Sequence, residues 1–282
     1  MFSVIIPIYN HAAFLKQAVL SALRSPLVTE VLLVDDGSSD RSAEVAAQFA
    51  KTYERVCNLT TPGGGNRGAH YRLNELVAAS KSDWIAILNS DDSFVDGRFD
   101  AMVSHPLFPQ SDFVFGNLLL INESGTLTGA KRGPLDAWTP FPASFDVASL
   151  VAAGHLLDLL SHQNYIGTTS NMIFRKELHA RIGGFAPYRY VHDWDFGLRA
   201  MAIARPLYVQ RYLTAYRIHR HNTISESQER VHAEAKEMFR RFVADFPQIA
   251  AHGRFQVGLE KNVNLRSPTA LAAGTQLGFP DE

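Results

Sequence analysis

The stretch Trp84–Phe94, WIAILNSDDSF, decides how the rest of the chain is read. Its first half is an apolar run of strand length. Its second half stops abruptly in Asn89-Ser90-Asp91-Asp92, with two adjacent carboxylates. Like charges side by side cost energy unless a cation, an array of donors or water accepts them. The plain reading is a strand end with Asp91 or Asp92 capping the next helix. The sharper reading is a binding site, and it depends on what surrounds the stretch.

Upstream, FSVIIPIY (2–9) is a short apolar run stopped by Asn10, followed by helical spacing over 11–25. EVLLVDD (30–36) is a second strand that ends in acid, and a turn and a helix follow it. RVCNLTT (55–61) is a weaker third strand, leading through a glycine-rich loop to a helix through Ala79. With WIAILN as the fourth strand, strand and helix alternate on short links, which predicts a parallel α/β sheet.

Downstream the regularity fades. Residues 111–129 read as a strand or hairpin with Glu123-Ser124-Gly125 as its turn, and 131–142 as a loop holding Trp138 and three prolines. The patterning predicts one helix over 149–162, strand then helix then a Gly-Gly turn over 168–185, and a helix over 191–204. It predicts extended chain over 206–219 and a charged amphipathic helix over 227–246. Beyond Pro247 the pattern is weak.

The composition is ordinary for a globular protein: 282 residues, 46% hydrophobic, 20% charged, formal charge −1. That charge argues against a nucleic-acid footprint or a polybasic membrane patch. The lone cysteine, Cys57, allows no intrachain disulfide and points to a reducing compartment, and its simplest role is a small strand residue. The N-terminus lacks the flank and core of a signal peptide, and no run is long enough to span a bilayer. The expectation is a soluble, cytoplasmic protein, with peripheral attachment at the inner membrane face left open.

Four features carry chemistry. In a parallel sheet, ligands sit outside the carboxyl ends of the strands. Asp35-Asp36 and the Asn89, Asp91, Asp92 group therefore read as a binding rim. Gly63-x-Gly65-x-x-Gly68 is a formal dinucleotide fingerprint, with Asp91 lying 23 residues beyond Gly68. It is displaced from the first strand–helix turn, where such fingerprints usually sit. Asp193 and Asp195 open a helix, where the macrodipole favours negative charge, and only one of them can face a given site. His219 and His221 point the same way in extended chain, with Arg211, Arg217 and Arg220 around them.

The ordered set SVIIPIYN, VLLVDDGSSD, NRG, ILNSDD, SNMIFRKEL…IGGF, HDWDFGLR and YRIHRHN resembles the family 2 glycosyltransferases of the GT-A fold over residues 2–222, about three quarters of the chain. The resemblance implies inverting transfer of a sugar from a nucleoside diphosphate donor to an acceptor hydroxyl, with Mn²⁺ or Mg²⁺ as cofactor. It places Asp35, Asp36, Pro7 and Tyr9 at the nucleobase, with Asn66, Arg72 and Asn89 as further nucleotide contacts. Asp91 matches the metal-binding acid, supported by Asp92, and His219 matches a histidine that reaches the metal or diphosphate. Asp193 matches the catalytic base. Gly183, Gly184, Phe185 and His192 fall near donor sugar and acceptor.

Three positions depart from the family pattern. Asn89 stands for its usual first aspartate, and Leu73-Asn74 for a frequent Arg-Asn, with Arg72 one place early. His192 stands for a frequent glutamate. These departures motivate a second reading, a noncatalytic nucleotide-sugar or glycan binder of the same fold, and the glycine fingerprint motivates a third, a Rossmann NAD oxidoreductase. The implied organisation is a catalytic domain over 1–222, with a nucleotide-binding half to about residue 95 and an acceptor half beyond it. A helical extension and tail follow over 223–282. The acceptor would be a glycan or a lipid-linked acceptor, and the charged helix over 227–246 offers a surface for homo-oligomerisation.

Overall fold

The computed structural model describes residues 1–61, 63–220, 222–223 and 226–263. His221 and the tail from residue 264 onward, which enter two of the readings above, lie outside the described residues. The strands are β1 (Phe2–Ile8), β2 (Val28–Asp35), β3 (Val56–Asn58), β4 (Trp84–Ile87), β5 (Ser93–Phe94), β6 (Phe113–Ile121), β7 (Leu127–Lys131), β8 (Ile173–Arg175) and β9 (Pro206–Arg217). The helices are α1 (Ala12–Leu23), α2 (Ser42–Thr52), α3 (Ala69–Ala79), α4 (Arg98–Val103), α5 (Val147–Ala152), α6 (Leu156–His162), α7 (Lys176–Arg181), α8 (His192–Ile203), α9 (Gln228–Asp245), α10 (Pro247–Ala250) and α11 (Gly253–Val263).

Among the described residues the strands form one sheet in the order β3-β2-β1-β4-β8-β6-β9-β5, with β7 on β6. The first four strands pair in parallel, as their strand–helix alternation requires. From β8 onward the sheet is mixed: β8 runs antiparallel to β4 and β6, whereas β9 runs parallel to β6. Alternate side chains of β1 serve opposite faces. Ile5 joins the core beneath α3, α6, α8 and α9, while Val4, Ile6 and Ile8 pack with α1, α2 and α4. The chain leaves β1 toward β2 and β3 and returns on the far side of β1 as β4. The crevice at the ends of β1 and β4 is thus a topological switch point.

Three expectations change in detail. The helix over 149–162 is two helices, because Gly154 takes a left-handed φ of 80° and breaks the run between α5 and α6. Cys57 does lie in β3, but at the sheet edge, where it is exposed. The weakly patterned segment past Pro247 forms α10 and α11, whose Ala250 and Phe255 are buried in the main core. The charged helix α9 lays Ala235, Met238, Phe239 and Phe242 into that core at helical spacing, so its apolar stripe is already covered. The hairpin is as read: β6 and β7 are antiparallel, and the Asn122 side-chain oxygen accepts from the Thr126 N–H at 2.8 Å. Among the described residues, no helix is long and apolar enough to cross a membrane.

Candidate active site

The switch-point crevice gathers side chains from three separate segments. His11 follows β1, Asp91 follows β4 and His219 follows β9. One ligand-capable atom from each lies within 4.8 Å of the others. His219 Nε2 is 3.0 Å from one carboxylate oxygen of Asp91, and His11 Nδ1 is 3.9 Å from the other. The two imidazoles meet edge to face at 5.6 Å, and the Ser90 hydroxyl lies 2.8 Å from His11 Nδ1. Burial would raise the Asp91 carboxyl, but the His219 hydrogen bond and the two nearby imidazoles hold it below the usual carboxylate range. Burial pushes the His11 imidazole down. A carboxylate between two imidazoles is a donor set suited to a divalent cation that accepts both oxygen and nitrogen.

Asp92 is fully buried and turned away from that cluster. Its oxygens accept the Arg217 N–H at 2.8 Å and the Ser170 hydroxyl at 2.6 Å, with the Thr168 hydroxyl at 3.3 Å. Burial, and then the Asp91 charge, push its carboxyl up to about 8. Asp92 therefore ties the end of β9 to the end of β4. Asn89 is committed in the same way, donating to Thr168 at 3.0 Å and accepting from Thr169 at 2.8 Å. The adjacent acids of the opening stretch thus divide their work: one faces the crevice and one fastens the scaffold.

In the second acidic pair both members fasten loops. The Asp35 carboxylate accepts the Gly37 and Ser38 N–H groups at 3.1 and 2.9 Å, shaping its own turn. Asp36 accepts the Arg67 and Gly68 N–H groups at 2.8 Å each and the Arg72 guanidinium at 2.7 Å. Both acids and Arg72 are buried, while Tyr9 (47% exposed) and Asn66 present free surface beside them. Asn10 adopts a left-handed φ of 54° and takes the Ser39 N–H at 2.7 Å, joining the β1 and β2 loops.

At the start of α8, Asp193 accepts from Asn164 Nδ2 at 2.8 Å and from the Trp194 N–H at 2.7 Å. Asp195 diverges from it, as two positions on a helix should, and pairs with Arg199 inside the protein. The loop entering α8 is fixed by Glu234 of α9, which takes the Arg189, Tyr190 and Val191 N–H groups at 2.9, 2.7 and 3.3 Å. His192 lies 6.5 Å from the Phe185 ring, at the end of the Gly183-Gly184 turn.

The structure therefore joins His219 to Asp91 and seats Asp193 beside His192, and it adds residues that the sequence reading passed over. His11 had a usable signal in its place directly after β1, the strand that defines the switch point. Glu234 and Asn164 had none, because their partners lie 43 to 45 and 29 residues away.

This architecture is that of the GT-A glycosyltransferases. TarS residues 1–349 from S. aureus, solved with UDP-GlcNAc, superposes at a TM-score of 0.68 with 15% identity, covering 98% of this chain and 76% of that one. The mannosyltransferase PcManGT from Pyrobaculum calidifontis, solved with GDP-Man and Mn²⁺, gives 0.58 at 17% identity, again covering 98% and 76%. The glycosyl transferase family 2 model matches residues 3–195, and the chain belongs to that family. The succinoglycan biosynthesis protein ExoU of Rhizobium meliloti is 32% identical over 148 residues, 52% of this chain and 41% of ExoU. The match thus spans about two fifths of that relative. The oxidoreductase reading is not favoured: its glycine fingerprint follows the edge strand β3, not β1.

Proposed function

We propose that the protein transfers a sugar, with inversion, from a nucleoside diphosphate sugar to an acceptor hydroxyl, in a metal-dependent reaction that serves polysaccharide or glycolipid biosynthesis. The observation that carries this reading is the Asp91 carboxylate held between His11 and His219 at the switch point. The TarS and PcManGT complexes with nucleotide sugars support the donor class, and the biosynthetic role named for ExoU supports the product class.

Asp91 and His219, joined by His11, would hold the cation, with Asp92 beneath them as scaffold. Two imidazoles beside one carboxylate favour Mn²⁺ over Mg²⁺, which prefers oxygen ligands and keeps its waters. Bound there, the cation supplies Lewis-acid neutralisation of the charge that grows on the departing diphosphate. Tyr9, Pro7 and Asn66 would meet the base and ribose from the open side. Asp35, Asp36, Arg72 and Asn89 shape that pocket from within, since their polar atoms are already bonded to loop and strand ends.

Asp193 is the proposed general base. As the acceptor oxygen bonds to the anomeric carbon and the carbon–oxygen bond to the diphosphate breaks, the acceptor proton passes to the Asp193 carboxylate. Asn164 and the Trp194 N–H hold that carboxylate in one orientation. His192 and the Gly183-Gly184-Phe185 turn would flank donor sugar and acceptor. In this reading residues 1–222 form the catalytic domain and 223–282 an extension whose Glu234 steadies α8.

Calorimetric titration with UDP, GDP, dTDP and NAD, each with and without Mn²⁺, tests the proposal. The expected result is binding of one nucleoside diphosphate that requires the metal. Metal-indifferent binding of NAD alone, or no binding at all, would overturn it.

A further inference from the structure

Asp36 follows β2 and Asp193 opens α8, yet one helix reaches the supports of both. On α3, Arg72 turns toward β2, its Nε donating to Asp36 at 2.7 Å and its Nη2 to the Gly65 carbonyl at 3.1 Å. Two residues on, about 200° around the helix, Asn74 points away toward the 182–185 turn. Its Nδ2 donates to the Phe185 carbonyl at 3.0 Å and its Oδ1 accepts the Phe185 N–H at 2.8 Å, so the amide pairs with that residue as a neighbouring strand would. His179 Nε2 lies 2.8 Å from the same oxygen.

The turn is gripped equally firmly from α8. Arg199, anchored by Asp195, donates to the Ile182 carbonyl at 2.5 Å and the Gly184 carbonyl at 2.8 Å. The Phe185 ring stacks on Phe196 with centroids 4.1 Å apart and planes at 13°. A continuous set of contacts therefore runs from Asp36 through Arg72, α3, Asn74 and Phe185 to the helix that carries His192 and Asp193.

We propose that α3 is a strut that sets the spacing between the Asp36 pocket and Asp193, and that Asn74 is its positioning residue. The strut stands on these contacts; its consequence for turnover rests on the glycosyl-transfer reading above. A side-chain amide offers a donor and an acceptor side by side to match one residue's C=O and N–H, which an ionised carboxylate does not. Spacing matters because a displacement of about 1 Å at a reacting centre can cost ~10²-fold in rate.

Asn74→Ala and the near-isosteric Asn74→Asp, which keeps the acceptor and sets an oxygen against the Phe185 carbonyl, test this in the full chain. The second variant guards against a simple failure of the first to fold. Amide hydrogen exchange over 182–196 should quicken by about tenfold or more in both, while exchange over 28–36 stays as in the wild type. Affinity for the nucleoside diphosphate that the wild type binds should change by less than about twofold, while kcat falls by about 10–100-fold at nearly constant donor KM. Unchanged exchange over 182–196, unchanged kcat, or nucleotide affinity lost in step with kcat would each overturn the strut. If the wild type binds no nucleotide, the glycosyl-transfer reading fails, and the exchange result alone still decides whether the strut exists.

Discussion

Gly183→Ala and Gly184→Ala form a matched pair that separates backbone strain from loss of the Asn74 clamp. Both glycines sit at φ 75°, where an L residue costs about 1–2 kcal/mol. At Gly183 that is the whole expected cost, because a Cβ added there meets no atom within 4 Å. At Gly184 the added Cβ would stand 2.6 Å from Asn74 Oδ1, with His179 behind it at 3.1 Å. Asn74 must then withdraw and give up both bonds to Phe185, each worth about 1 kcal/mol net. The expected destabilisation is about 3–4 kcal/mol at Gly184 against about 1–2 kcal/mol at Gly183. A gap of about 2 kcal/mol corresponds to a further fall of about 4–8 °C in Tm, and it is measurable as a difference in urea midpoint at equal m. Equal destabilisation by the two substitutions would refute the account of the clamp.

Asp193→Asn should leave nucleotide affinity nearly intact and slow transfer by at least ~100-fold, the low end for loss of a general base; single-turnover transfer with the donor fixed by titration is the check. Asp91→Ala and His219→Ala should each remove the Mn²⁺ dependence of nucleotide binding, read by calorimetry, and dialysis against a chelator should do the same to the wild type. Stability should fall in mild acid. Burial, then nearby Lys261 for His162 and Arg199 with Lys176 for His179, hold both imidazoles down at about 4. The unfolded chain protonates its histidines near 6.5, so it binds more protons than the native state between pH 6.5 and 4. The urea midpoint should therefore drop as pH falls through that window, and His162→Phe should make the drop shallower; a flat profile in the wild type would contradict the assignment.

The sequence by itself determined the layout of the first half and the identity of most crevice residues. Strand periodicity, the acids at the ends of β2 and β4 and the short links between elements are all signals carried by neighbours in the chain. They sufficed to predict four parallel strands and a rim at their carboxyl ends. The same local signals could not tell Asp91 from Asp92. Adjacent residues at a strand end point apart, and which one meets a histidine and which is buried against Ser170 and Arg217 depends on partners 78 to 128 residues away. The partners of His11 and Asn74 became visible only in the fold for the same reason, since Asp91 lies 80 residues from His11 and Phe185 lies 111 from Asn74. Past Pro247 the apolar residues are too sparse to declare a helix, and only the core that receives Phe255 makes one. Hydrophobic period, turn residues and caps act over a few residues and are legible in one dimension. The joining of His11, Asp91 and His219, and of α3 to α8, required the sheet to close first.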